Sequence, residues 1–134
     1  MALVKENVAA VDISGEYAES GQVKRRDLLG LADGAPNFTM REFQLAAGAA
    51  TPHHSHDWEH EVLILDGTGS LVHGDNETQF SSGSSIFVPS NEPHQFKNTG
   101  SAELRFICVV TNDGHLAGIR PDERDELVMR APGC

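Results

Sequence analysis

The chain has 134 residues, a length for one domain, and with 39% hydrophobic residues it can bury one core. Twenty acidic against ten basic residues give a net charge of −10, which repels nucleic-acid phosphate and anionic membrane alike. No apolar run approaches the roughly 18 residues needed to span a bilayer, and the opening MALVKENVAAVDISGEY lacks an apolar stretch of signal-peptide length, so a soluble cytoplasmic protein is expected.

Along the chain, residues 1–22 form an N-terminal arm with a possible edge strand at Val8–Ile13, followed by a polar stretch. Short alternating or β-branched runs then predict eight strands: Val23–Leu29, Phe38–Leu45, Glu59–Asp66, Ser70–His73, Thr78–Phe80, Ser85–Val88, His94–Asn98 and Glu103–Thr111. The intervening ADGAPN, AAGAATP, DGTG, GDNE, SSGS, PSNEP and NTGSA are rich in residues that supply positive φ, a preset φ or a local side-chain hydrogen bond. Eight short strands with tight turns predict an all-β sandwich or barrel, with a core over 38–111 and no second domain within 1–134. The tail, 112–134, carries a helix signature in RPDERDELVMRAPG: Pro121 suits the first helical position, acidic residues follow it, and Arg130 suits the last turn. Cys108 lies in the run LRFICVV and Cys134 is the last residue, an arrangement that suggests no disulfide framework.

Histidine is the unusual residue. Five of the seven, His53, His54, His56, His60 and His94, fall in two short segments. In a strand, His54 and His56 share a face, the loop DWE returns the chain to His60, and the turn PSNEP after Pro89 delivers His94 from another hairpin. Four imidazoles could thus converge, and neutral imidazole suits Zn, Cu, Fe and Ni. His60 and Glu61 are adjacent, so only one of them can face the barrel interior.

The spacings Gly48-x5-His54-x-His56-x3-His60-x6-Gly67 and Gly83-x5-Pro89-x-Asn91-x2-His94-x3-Asn98 resemble the two motifs of the cupin superfamily. His60 stands where that pattern has a glutamate, and Asn91 where it has a glycine, a replacement that still tolerates a left-handed turn. The chain resembles the small bacterial single-domain, four-histidine, manganese-type members of the conserved-barrel (cupin_2) group. That resemblance implies a double-stranded β-helix, or jelly-roll-like barrel, and a homodimer in which Val8–Ile13 could pair across subunits. Six residues between ligand and closing glycine select His60 over Glu61. The implied ligands are His54, His56, His60 and His94, holding one divalent transition metal, with manganese first and Fe, Ni, Cu or Zn admissible.

Four neutral ligands leave the ion its full +2 charge and two adjacent open positions. Strand parity places Phe96, Val62, Ile64, Leu104, Phe106 and Cys108 inside, and the resemblance sets Phe106 and Cys108 beside the metal. Arg41 shares its face with Phe43 and Leu45, so it pairs with a core acid or holds a substrate carboxylate or enolate. His53, Trp58, Glu59, Glu61 and Gln95 are candidates to support the ligating imidazoles. His73 and His115 receive no role. The expected function is a metal-dependent oxidoreductase acting on a small organic substrate, with dioxygenase- or peroxide-dependent cleavage of C=C or C–C bonds. The alternatives are a non-redox isomerase or lyase, for which no general base is evident inside the barrel, and a metal- or ligand-binding module without catalysis.

Overall fold

The computed structural model describes residues 2–112. Nine strands occur among them, in order β1 (Val11–Asp12), β2 (Val23–Leu29), β3 (Phe38–Leu45), β4 (His60–Asp66), β5 (Thr68–His73), β6 (Asn76–Ser81), β7 (Ser85–Val88), β8 (His94–Asn98) and β9 (Leu104–Thr111). A one-turn helix, α1 (Ser14–Tyr17), lies between β1 and β2. Four strand ranges match the sequence expectation residue for residue, and the other four differ only at their ends. Among the described residues no helix is long and apolar enough to cross a membrane. The helix expected after Pro121, together with His115, lies outside the described residues.

All pairings are antiparallel, giving a six-stranded sheet in the order β1-β2-β3-β9-β4-β7 and a three-stranded sheet in the order β6-β5-β8. This is an all-β barrel, as the alternating runs predict, of the jelly-roll kind that the motif resemblance implies. Alternation is cleanest in β9, where Leu104, Phe106, Cys108 and Val110 are buried and the residues between them are only half-buried. Phe106 stacks on Phe43 of its own sheet, with ring centroids 5.4 Å apart, and on Phe96 of the small sheet at 4.8 Å. Those three rings fasten the sheets to each other and floor the interior beneath the histidines.

Val8–Ile13 is corrected in length. Only Val11 and Asp12 form a strand, paired on one side with Arg25 and Lys24 of β2, and β1 is the edge strand of its sheet. Two turns show why the motif spacings are rigid. Gly67 joins β4 to β5 at φ 96°, and a Cβ there would lie 2.8 Å from the Glu103 carbonyl oxygen. Asn91 has φ 67°, so it does adopt the left-handed turn, and its N–H donates to the His56 carbonyl at 2.6 Å. The second motif is thereby tied to the first.

Candidate metal centre

Three of the four motif histidines, His54, His56 and His94, form one cluster, and His60 lies against His56 at its side without falling in that set. His60 and His94 are the first residues of β4 and β8, both buried, while His54 and His56 lie on an extended segment outside the named strands. His54 is held there by a two-way backbone pairing with His94, at 3.1 and 2.9 Å. Donor nitrogens of His54, His56 and His94 lie within 4.8 Å of one another. His60 joins through His56, Nε2 to Nε2 at 3.0 Å, and its ring centroid is 5.1 Å from that of His94.

Hydrogen bonds to the outer nitrogens fix which inner nitrogen carries a lone pair. A carbonyl only accepts, so Nδ1–H of His56 donates to the Trp58 carbonyl at 3.3 Å and Nδ1–H of His94 donates to that of Glu92 at 2.9 Å. His60 Nδ1 meets the Cys108 sulfur at 3.5 Å. The sequence suggested no disulfide framework, yet Cys108 is disulfide-bonded, through a partner outside the described residues. Nε2 of His56 and Nε2 of His60 lie 3.0 Å apart, a separation that suits one N–H···N hydrogen bond between the rings or two bonds to a shared cation, and Nε2 of His94 is buried with no hydrogen-bond partner.

Two nitrogens each about 2.1 Å from one ion and at right angles about it are about 3.0 Å apart, so the donor set fits a divalent transition metal. Burial, reinforced by the neighbouring imidazoles, holds His56 down to about 4 and His60 down to about 2, while burial also lowers His94. All three rings are thus neutral, as ligation requires.

Glu61 faces outward and is exposed, hydrogen-bonded to Glu59, which raises it to about 7. Of the candidate supporting groups, Trp58 stacks on His56 with centroids 4.2 Å apart and its carbonyl holds that ring, whereas His53, Glu59 and Glu61 are exposed. Gln95 is buried but turns to the Thr51 carbonyl and Glu19. His73 bonds Thr78 instead, at 2.8 Å.

Arg41 is fully buried, as its parity predicts, 5.3 Å above the Phe43 ring, and donates to the Cys108 sulfur at 3.4 Å. Its β2 partner in register is Asp27, which Arg25 engages at 3.2 Å. Burial pushes Arg41 below and Asp27 above their ordinary values, and the opposite charges of this group counter part of each shift. Phe106 and Cys108 also line the interior, Cys108 in contact with His60 and Phe106 in the floor below.

Two residues were missed from sequence. Arg25 had a signal, since Val23, Arg25 and Asp27 share one face of β2. Tyr17 had none, because it ends a four-residue helix in the polar arm, yet its ring is buried against Phe43 and its hydroxyl lies 3.3 Å from Nε2 of His54. Burial holds its phenol above the ordinary value, so it is protonated.

The sequence pattern of the cupin domain matches residues 41–110, more than half of the chain and the stretch that carries all four histidines. The protein belongs to the cupin family. Among curated relatives, this cupin is 31% identical over 75 residues to auxin-binding protein 1 of Arabidopsis thaliana, an alignment covering 49% of this chain and 38% of that protein. The chain spans only 38% to 57% of the first curated relatives it matches. Among solved structures it resembles the polyketide cyclase RemF of Streptomyces resistomycificus, with TM-score 0.70 and 29% identity over 81% of this chain and 80% of that one. A predicted oxalate decarboxylase of Thermotoga maritima gives TM-score 0.70 and 25% identity over 83% and 98%.

Proposed function

We propose that this cupin is a metal-dependent enzyme acting on a small carbonyl-bearing substrate, with His54, His56, His60 and His94 holding one divalent ion. The observation that carries the reading is the buried, orphaned Nε2 of His94 in one cluster with His54 and His56, beside the 3.0 Å Nε2–Nε2 approach of His56 and His60. When bound, such an ion supplies Lewis-acid polarisation of a carbonyl and two adjacent positions for substrate oxygens. Manganese is the first assignment and Fe, Ni, Cu and Zn remain chemically admissible.

Reaction class turns on proton handling. A non-redox isomerase, lyase or cyclase needs a general base inside the barrel, which the sequence did not reveal; the buried, protonated Tyr17 phenol adds a proton donor beside His54. The similarity to a polyketide cyclase supports the same class. Arg41 adds positive charge where enolate character would develop, and Phe43, Phe96 and Phe106 keep water from the interior. The second reading is oxidative cleavage, which the four neutral nitrogen donors favour by leaving the ion its full charge. Arg41, Phe106 and Cys108 serve as pocket residues under either.

Anaerobic exchange of the methyl protons of pyruvate in deuterated water, measured with and without added metal, separates the readings. Metal-dependent exchange without oxygen uptake is expected. Oxygen uptake with an aryl alkene and no exchange would replace this reading by the oxidative one, and neither activity would leave a binding module.

The assembly we propose is a cytoplasmic homodimer joined on the outer face of the large sheet. There Phe38, Leu63 and Phe87 are 61%, 45% and 60% exposed, beside a groove of about 380 Å³ lined by Leu63, Phe87, Ile107 and Val109. Apolar exposure on this scale marks an association surface.

A further inference from the structure

We propose that Asp27 is the general base of the site, taking a proton from the carbon next to the carbonyl of a small 2-oxo acid. This rests on the metal-dependent, non-redox reading above and deepens it by naming the base which that reading requires.

Strand pairing places Asp27 inside. In β2 it shares a face with Val23 and Arg25, both buried, and its register partner across the ladder is the fully buried Arg41. The same row continues through Cys108 of β9 to Val62 of β4, and His60 is the next inward residue of β4. Contacts follow that row: Arg41 Nη2 donates to the Cys108 sulfur at 3.4 Å, and that sulfur lies 3.5 Å from Nδ1 of His60. The imidazoles come from β4, β8 and the extended segment that carries His54 and His56, and none comes from β2 or β3. Coordination positions that histidine leaves open therefore face the β2–β3 wall, where Asp27 and Arg41 stand.

The carboxylate of Asp27 is free to take a proton. Both its oxygens are buried, yet neither accepts a hydrogen bond from the described residues. Arg25 Nε stands 3.2 Å from Oδ1 as an ion pair without hydrogen-bond alignment. A buried acceptor without a donor is costly, and an arriving proton relieves that cost. A base already hydrogen-bonded at both oxygens would have to break a bond first. Burial pushes the carboxyl above its ordinary value, against the pull of Arg25, Arg41 and Lys5, and Asp33 pushes the same way. It is thus a stronger proton acceptor than an exposed aspartate. Among the described residues, the inward face of the large sheet carries no other carboxylate.

The step balances within the site. The C–H bond breaks, and its proton forms an O–H bond on Asp27. Its electron pair moves into the new C=C bond while the carbonyl pair moves onto oxygen. The Asp27 side chain is 19% exposed, which lets the new carboxyl trade its proton with solvent before the step reverses.

The test uses the full chain loaded with cobalt(II). Pyruvate serves for turnover, and oxalate, whose planar anionic oxygens mimic the enolate of pyruvate, serves for binding. Asp27→Asn should slow methyl-proton exchange of pyruvate at least about 100-fold, the lower end of what a general base contributes. Its amide N–H imitates the protonated carboxyl, so metal content should stay unchanged and oxalate affinity should stay the same or rise. Oxalate affinity lost together with exchange would overturn the proposal and make Asp27 a structural partner of Arg25, and undiminished exchange would overturn it as well. A measurement on the unmodified chain decides the matter even where Asp27→Asn fails to fold. With oxalate bound, infrared difference spectra should gain a protonated carboxyl band that moves on carbon-13 labelling of aspartate, and a spectrum without that band contradicts the assignment. If the unmodified chain takes up cobalt but exchanges no pyruvate protons, the non-redox reading itself falls, an outcome separate from exchange that survives Asp27→Asn.

Discussion

His60 and Glu61 differ by one position and face opposite sides of β4, so the interior receives an imidazole and the solvent a carboxylate. The cost of that burial is paid by neutrality, and it makes the metal-free fold acid-sensitive. In the unfolded chain these imidazoles protonate at their ordinary value of about 6.5, whereas in the folded chain His56 waits until about 4 and His60 until about 2. The unfolded state therefore binds more protons below pH 6.5, so stability is full above that pH and falls as pH drops through 6.5 toward 4 and beyond. Thermal melts of metal-free protein should show this decline, and a flat melting temperature from pH 7 to 4 would contradict the buried neutral rings. Proton competition with metal at His56 and His60 is likewise expected below the pH of about 6 that unperturbed histidines imply. A second residue-scale expectation concerns Asn91: at φ 67° an alanine should cost about 1 kcal/mol and glycine little, as denaturant midpoints would report. The histidine positions were legible because their spacing matches the two motifs that the chain resembles, which also select His60 over Glu61. Tyr17 was not, because its place is set by contacts that no local periodicity encodes.

At the scale of elements, alternation of apolar residues identified the eight main strands, and turn residues set their ends. What escaped was geometry outside regular structure. His54 and His56 converge from an extended segment whose only strand-like tie is the bridge to His94, so the same-face argument reached the right cluster through a segment that is not a regular strand. The arm was illegible for a related reason: a two-residue strand and a one-turn helix are too short to leave a pattern. Its attachment is testable at Gly21. Gly21→Ala forces a left-handed alanine and sets its Cβ 2.7 Å from that of Ala49, which should cost about 2–3 kcal/mol. Equal stability by urea denaturation would show that the arm does not pack as described.

The whole molecule pairs an interior of neutral imidazoles and buried arginines with a surface of net charge −10. Its proposed dimer face contributes little to the chain's own core, so Phe87→Glu should give a monomer at micromolar concentration with unchanged circular dichroism. A dimer that persists in sedimentation would place the interface elsewhere. The central claim is that four histidines hold one ion, and it is tested most directly by elemental analysis after dialysis at fixed free metal. We expect one ion per unmodified chain, reduced occupancy in His60→Ala, and a larger loss in His94→Ala, which removes the only ligand from β8. Full occupancy in both variants would contradict the account.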